Sequence, residues 1–341
     1  LKSSERFDAQ PYFSVPLSPL SRASRVSESS AAGTGDLDGI LIPSSEIDRA
    51  RVGVTSQFLE DADQYHQKYS ASPYFKHLLE RAIERCGLKL DSPVILDIGS
   101  GSGNSIFPCL EIFESPRIVA TDISPDLLRV LALHVQKIGR EAQVVPVCMD
   151  VTRDLYREAS FDLVVGAAIL HHLVDPEAAI LAALRALKPG RHAIFFEPFE
   201  AGHAILRLAY KEILERGRGR GPLEDAALRV LEAKVADVEI RSGADKSHPI
   251  YTEIDDKWLF TRHYIEDIAA RLKVSDLVIS PLHVTATPFS DETRTHLHLS
   301  AGLPPEALGS WAWDILNDYD SAFSPDLRTD LMIAGTIVLT K

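Results

Sequence analysis

Four acids in this sequence stand where runs of apolar residues end: Asp97, Asp122, Asp150 and Glu197. The first interrupts Val94, Ile95, Leu96 and Ile98, a run that reads as a strand buried on both faces. Gly99, Gly101 and Gly103 follow it at a spacing of two. Glycines there let the backbone turn tightly and bring a ligand against bare N–H groups at the start of the next helix. A carboxylate kept at the end of a buried strand needs a partner, and the ammonium of a ligand is one. Two histidines, His171 and His172, close the fourth such run, with Glu197 and His203 near the end of the fifth. Imidazole titrates near neutrality and suits removal of a proton from a hydroxyl. The same pair also reads as a helix cap and ligand wall. Because the two are adjacent, their side chains are not expected to converge on one ion, so no metal is expected.

These residues need a sheet to carry them. Arg117–Asp122, Ala142–Met149, Phe161–Gly166 and Ala193–Pro198 read as further strands, each separated by a helical stretch. Ser124, Pro125 and Asp126 form a helix start: a cap, proline at the first helical position and an acid in the first turn. Asp175 and Pro176 open the next helix in the same way. Strand–helix alternation repeated five times implies an α/β, doubly wound and mostly parallel sheet. Ligands of such sheets gather at the carboxyl ends of the strands, where the four acids fall.

This part of the chain, about 94–198, resembles the class I S-adenosylmethionine-dependent methyltransferases, in particular the small-molecule group that includes quinone-biosynthesis enzymes. The resemblance implies a seven-stranded Rossmann-like sheet and S-adenosyl-L-methionine as cofactor, leaving S-adenosyl-L-homocysteine as product. It implies that Asp97, Gly99, Ser100, Gly101 and Gly103 wrap the methionine part of the cofactor. Asp122 would take the ribose hydroxyls, Ile123 would pack on the adenine, and Asp150 with Val151 would read its amino group. Ala167 opens the stretch that resembles the fourth motif, running through Leu170, His171, His172 and Pro176, and would wall the cofactor. A nicotinamide dehydrogenase would place its third glycine where this chain has Asn104.

Outside that segment, residues 1–45 are Ser- and Pro-rich without sustained period, and read as a flexible arm, ordered only by docking onto a partner or a second subunit. A homodimer through this arm is one expectation. Residues 46–90 read as a helical cover bearing Tyr65 and Tyr69. These either pack as amphipathic aromatics or bring a hydroxyl over the ligand's carboxylate. The methyltransferase domain is then 91–341, with insertions at 199–259 and 285–328 expected to form a substrate lid. Arg216, Arg218 and Arg220 alternate with glycines in the first insertion, and Trp311 and Trp313 lie in the second. A solvated loop and core packing account for them; as acceptor contacts they favour an acidic or aromatic molecule.

A net charge of −13 argues against a general nucleic-acid partner. No 18-residue apolar run is present, so no membrane span is expected. Three scattered cysteines and no signal-peptide pattern point to a cytoplasmic chain. The expected reaction is methyl transfer to a small-molecule acceptor, at oxygen before nitrogen or carbon. An RNA methyltransferase and a non-catalytic cofactor-binding subunit are the other readings. The candidate bases are His171, His172, Glu197 and His203.

Overall fold

The computed structural model describes residues 7–20, 39–46, 74–217 and 222–341. A nine-stranded sheet lies at its centre. Its strands are β1 (Leu17–Pro19), β2 (Leu41–Pro43), β3 (Val94–Ile98), β4 (Arg117–Asp122), β5 (Val144–Cys148), β6 (Phe161–Ala167), β7 (Leu187–Pro198), β8 (Asp276–Pro281) and β9 (Ala334–Thr340), in the order β1-β2-β5-β4-β3-β6-β7-β9-β8. Strands β2 to β7 run parallel to one another, whereas β1 is antiparallel to β2 and β9 is antiparallel to both β7 and β8. Strand order reverses at β3, which has β4 on one side and β6 on the other.

Every residue of β3 is buried, because the period-two alternation sends both sets of side chains into core. Val94, Leu96 and Ile98 join one cluster and Ile95 the other. The Ile95 side is covered by α1 (Tyr74–Arg85), α2 (Ile106–Ile112) and α3 (Pro125–Lys137), through residues such as Leu79, Cys109 and Leu128. The opposite face is covered by α4 (Pro176–Ala186), the first of the helices on that side, through Ile180 and Ala183. Local sequence sets the helix starts. The Ser124 hydroxyl accepts from Leu127 N at 3.3 Å, and the Asp175 carboxylate accepts from Ala178 N at 3.0 Å.

The two insertions are helical. The first carries α5 (Glu200–Arg216) and α6 (Pro222–Arg241), after which α7 (Arg262–Arg271) returns to the sheet. The second carries α8 (Pro288–Ala301), α9 (Ser310–Ser321) and the short α10 (Pro325–Asp330). Although far apart in sequence, the insertions share one core, in which Leu206, Tyr210 and Ile213 pack with Phe289, Leu297 and Leu316. The first insertion is tied to the sheet where Phe260 N donates to Pro198 O (3.0 Å) and Glu200 N donates to Phe260 O (2.8 Å).

Two expectations are corrected. The sheet has nine strands rather than seven, and the extra pair comes from the Ser/Pro-rich arm. The described part of that arm docks on its own chain. Strand β1 pairs antiparallel with β2, and β2 adds to β5 through Leu41 opposite Val147. Phe13, Ile40 and Ile42 are buried, with the Phe13 ring tilted against that of Tyr156 at 5.6 Å between centroids. The outermost position suits β1, which contains Pro19, since proline cannot donate to a ladder. The part of the expected helical cover that bears Tyr65 and Tyr69 lies outside the described residues, as do Arg218 and Arg220. Among the described residues, no helix is long and apolar enough to cross a membrane.

Candidate cofactor and acceptor site

The turn after β3 follows from its glycines. Gly99 has φ +69°, and a Cβ there would lie 2.3 Å from the side chain of Ile169. Gly101 is also left-handed, at φ +51°, and its missing side chain faces open space. The turn is pinned to β4: Ser100 N donates to Thr121 O (2.9 Å), and the Thr121 hydroxyl donates to Asp97 O (2.8 Å). Asp122 bridges the next loop, accepting from Gly101 N and Ser124 N, each at 2.8 Å. A carboxylate oxygen accepts more than one hydrogen bond, so this clamp leaves Asp122 with capacity for a diol. Burial raises its pKa above the ordinary value.

Asp97 is wholly buried, and neither carboxylate oxygen has a hydrogen-bond partner among the described residues. Burial pushes its pKa up to about 7, against the nearby Ser100 and Ser105 hydroxyls. The Ser102 hydroxyl and the Asn104 side-chain oxygen are also buried without partners. Polar atoms left in this condition cost stability unless something bonds to them. Clustered around one glycine turn, they fit the cationic, hydrogen-bonding end of an amino-acid-like ligand. Ser100 and Ala167 are buried beside them, Ile123 is half-buried and Val151 is buried. The Asp150 carboxylate accepts from Thr152 N (2.9 Å) and the Thr152 hydroxyl (2.7 Å).

The end of β6 leads into a strained turn. Ala168, an exposed non-glycine residue, has φ +59°. Glu197, buried on β7, holds the turn that follows. Its carboxylate accepts from Ile169 N (3.0 Å), Leu170 N (2.8 Å), His171 N (3.2 Å) and the His171 ring Nδ1 (2.6 Å). On its other side, His171 Nε2 lies 3.5 Å from Asp256 Oδ1. Burial opposes charge on His171, but Glu197 and Asp256 outweigh it and raise its pKa to about 9. A ring already protonated at neutral pH is no base, and a carboxylate with four donors has no room for a ligand's proton. Both residues are placed as positioning groups.

His172 differs. Burial, with the adjacent His171, lowers its pKa to about 3, so it is neutral. Its Nδ1 lies 3.3 Å from Asp256 Oδ1 and 3.2 Å from Asp255 O. The expectation that adjacent imidazoles would not converge is therefore corrected. Both rings meet Asp256, and the three ligand atoms lie within 4.8 Å of one another.

His203, one turn into α5, is buried, and burial lowers its pKa to about 3. It faces His296 across 6.5 Å between ring centroids. Sequence reading missed its surroundings. Tyr210 Oη and His296 Nδ1 lie 2.9 Å apart, and His296 Nε2 is 3.1 Å from Glu292. Asp256 and Arg241 were missed as well, since nothing in a polar loop before Trp258 marks a residue that folds back onto β6. Trp311 and Trp313 direct their indole N–H groups to Glu224 and Pro305 O, within the packing of the insertions. Arg216 pairs with Glu212 at 2.6 Å.

Comparison with known proteins agrees with this geometry. Residues 96–195 match the family model described as a methyltransferase domain. The chain is 31% identical over 101 residues to the ubiquinone biosynthesis O-methyltransferase of Idiomarina loihiensis, covering 30% of this chain and 40% of that protein. It is 26% identical over 117 residues to a ubiquinone/menaquinone biosynthesis C-methyltransferase of Pseudoalteromonas translucida, covering 34% and 47%. The chain thus spans less than half the length of these curated relatives. Among solved structures it is similar to phosphoethanolamine N-methyltransferase 2 of Haemonchus contortus in complex with S-adenosyl-L-methionine, at 19% identity and a TM-score of 0.49, covering 85% of this chain and 60% of that one. The chain carries a class I S-adenosylmethionine-dependent methyltransferase domain. The cofactor of that family is S-adenosyl-L-methionine.

Proposed function

We propose that this chain transfers the methyl group of S-adenosyl-L-methionine to a small-molecule acceptor, at oxygen before nitrogen or carbon. The observation that carries the reading is the wholly buried, unpartnered Asp97 carboxylate beside the open face of Gly101. An ammonium satisfies that carboxylate, while the Ser102 hydroxyl and Asn104 oxygen are placed for other polar atoms of the methionine part. Asp122 holds the ribose hydroxyls, Ile123 and Val151 flank the adenine, and Asp150 accepts from its amino group. The cofactor's sulfonium supplies an electrophilic methyl when bound. The chain's own task is then to orient an acceptor and exclude water.

The acceptor site is assigned to the space over the ends of β6 and β7, beneath the paired insertions, which act as its lid. Tyr65 and Tyr69, on the preceding segment, are proposed to reach the cofactor's carboxylate. Preference for oxygen is supported by the O-methyltransferase name carried by one relative. The net charge of −13 favours a small molecule over RNA. A chain with three cysteines and no disulfide among the described residues suits the cytoplasm.

The test is turnover with methyl-labelled cofactor, offered a small-molecule extract and RNA in parallel. Label in a small acidic or aromatic product supports the reading, and alkaline lability of the label would separate esters from ethers and amines. Label in RNA alone overturns it. Cofactor binding without transfer to either pool assigns the chain a non-catalytic role.

A further inference from the structure

We propose that His171, His172 and Asp256 form a binding site for a first-row transition ion such as Zn²⁺. Among the described residues, this is the one set of three His, Cys, Asp or Glu side chains whose ligand atoms converge. The two distances to its carboxylate fit a shared ion, and all three ligand atoms lie within 4.8 Å of one another. Asp256 Oδ1 lies 3.5 Å from His171 Nε2 and 3.3 Å from His172 Nδ1. Ligands bonded at about 2.0–2.2 Å around a tetrahedral ion stand roughly 3.3 Å apart. Two imidazoles and one carboxylate select zinc-like ions over Mg²⁺ and Ca²⁺, which prefer oxygen.

The surroundings have the form of a metal site's support. Glu197, buried and only 2.6 Å from His171 Nδ1, accepts that N–H, so Nε2 is the nitrogen turned to the ion. Backbone N–H groups of Lys257 (2.7 Å) and Trp258 (3.2 Å) donate to His171 O, which locks the segment carrying Asp256 onto the histidine turn. Arg241 holds the second oxygen, Asp256 Oδ2, at 3.2 Å and is itself paired with Asp237 at 3.0 Å. That pairing fixes the carboxylate with Oδ1 facing the rings. The guanidinium charge weakens cation binding, and the nearby carboxylates Glu197 and Asp237 oppose that effect.

Access is available on one side. His171 is buried, but the His172 side chain is 25% exposed and that of Asp256 is 41% exposed. Three protein ligands leave a fourth position for water or a ligand oxygen, the open arrangement of a catalytic rather than a structural ion. On binding, the ion takes the place of the proton between His171 Nε2 and Asp256, which leaves to solvent, and the ring proton of His172 passes from Nδ1, which faces Asp255 O at 3.2 Å, to Nε2. The site rests on side-chain geometry and stands whichever acceptor the enzyme methylates.

The experiment uses the full chain, stripped with a chelator and without cofactor. Zn²⁺ is titrated by calorimetry, and Co²⁺ is followed by its visible d–d absorption and by paramagnetically shifted proton resonances. One ion per chain is expected, with two sets of shifted imidazole signals and no comparable binding of Mg²⁺. His172→Ala and Asp256→Asn should each weaken Zn²⁺ binding by at least about 10-fold, a ligand counting for no less than the groups that support it. No bound ion, shifted signals from cysteine protons alone, or unchanged affinity in both variants overturns the site. Should either variant fail to melt like the parent, the histidine signals of the unaltered chain decide the question.

Discussion

Asp97→Asn separates what a buried carboxylate costs the empty chain from what it does for a ligand. Asp97 is wholly buried, and its pKa stands at about 7 against an ordinary 3.8, chiefly from burial. For an acid whose folded pKa is raised, the folded chain keeps a proton that the unfolded chain has released. Stability therefore falls as pH rises through that window and levels off above it. The full displacement corresponds to about 4 kcal/mol, of which about 2 to 3 kcal/mol falls between pH 5 and pH 7. The asparagine variant lacks this loss. It leaves a buried amide without partners, at a cost of about 1–3 kcal/mol that does not vary with pH. Urea denaturation of both proteins without cofactor, at pH 5 and pH 8, should show the variant gaining about 2 to 3 kcal/mol on the parent across that interval. In the same variant, affinity for S-adenosyl-L-homocysteine should fall at pH 8, since the ammonium loses its carboxylate. A stability difference that does not move with pH would refute the argument, as would unchanged affinity.

Other outcomes follow from the same site. Asp122→Ala should weaken binding of the demethylated cofactor severely in calorimetry, because it removes both the clamp on Gly101 N and the proposed diol acceptor; a change within threefold would show that the β4 end is misassigned. Gly99→Ala should abolish cofactor binding, since the new Cβ would stand 2.3 Å from Ile169 at a left-handed φ of +69°. Retained affinity in that variant would mean that the turn yields. Glu197→Gln should destabilise the chain by about 3–5 kcal/mol, because it breaks a buried charged pair and replaces an acceptor of four donors. Stability of the parent should also fall between pH 6.5 and pH 9, as His171, raised to about 9, loses its proton from between two carboxylates. Denaturation midpoints across that range, compared with His171→Gln, check the sign.

The cofactor half of the site was legible because its logic is local. A buried strand, an acid and three glycines lie within ten residues, and the helix caps at Ser124 and Asp175 sit beside the residues they serve. The parallel strands followed from the alternation of apolar runs with helical stretches. The acceptor half was not legible, because its contacts are long-range. Asp256 meets His171 across 85 positions of chain, and His296 meets Tyr210 across 86. Their polar neighbourhoods look like any solvated loop or helix face. The arm was misread for a different reason: Phe13, Leu17, Ile40 and Ile42 are too sparse to show a period, and they acquire a strand only by pairing with one another and with β5. Convergence of the histidine pair was missed from adjacency alone, since the group that both rings reach, Asp256, comes from a distant segment.

That arm has a consequence for how the protein behaves in company. Without β1 and β2, strand β5 would end the parallel sheet with its hydrogen-bonding groups bare and Val145 and Val147 uncovered, a template for another chain to extend. The short proline-bearing ribbon closes that border with a three-residue edge strand, and Pro19 on that outermost strand has no N–H to offer an incoming one. A truncation made to remove residues 1–46 as an apparent tail would therefore reopen a sticky edge. The shortened protein should aggregate where the longer one stays dispersed.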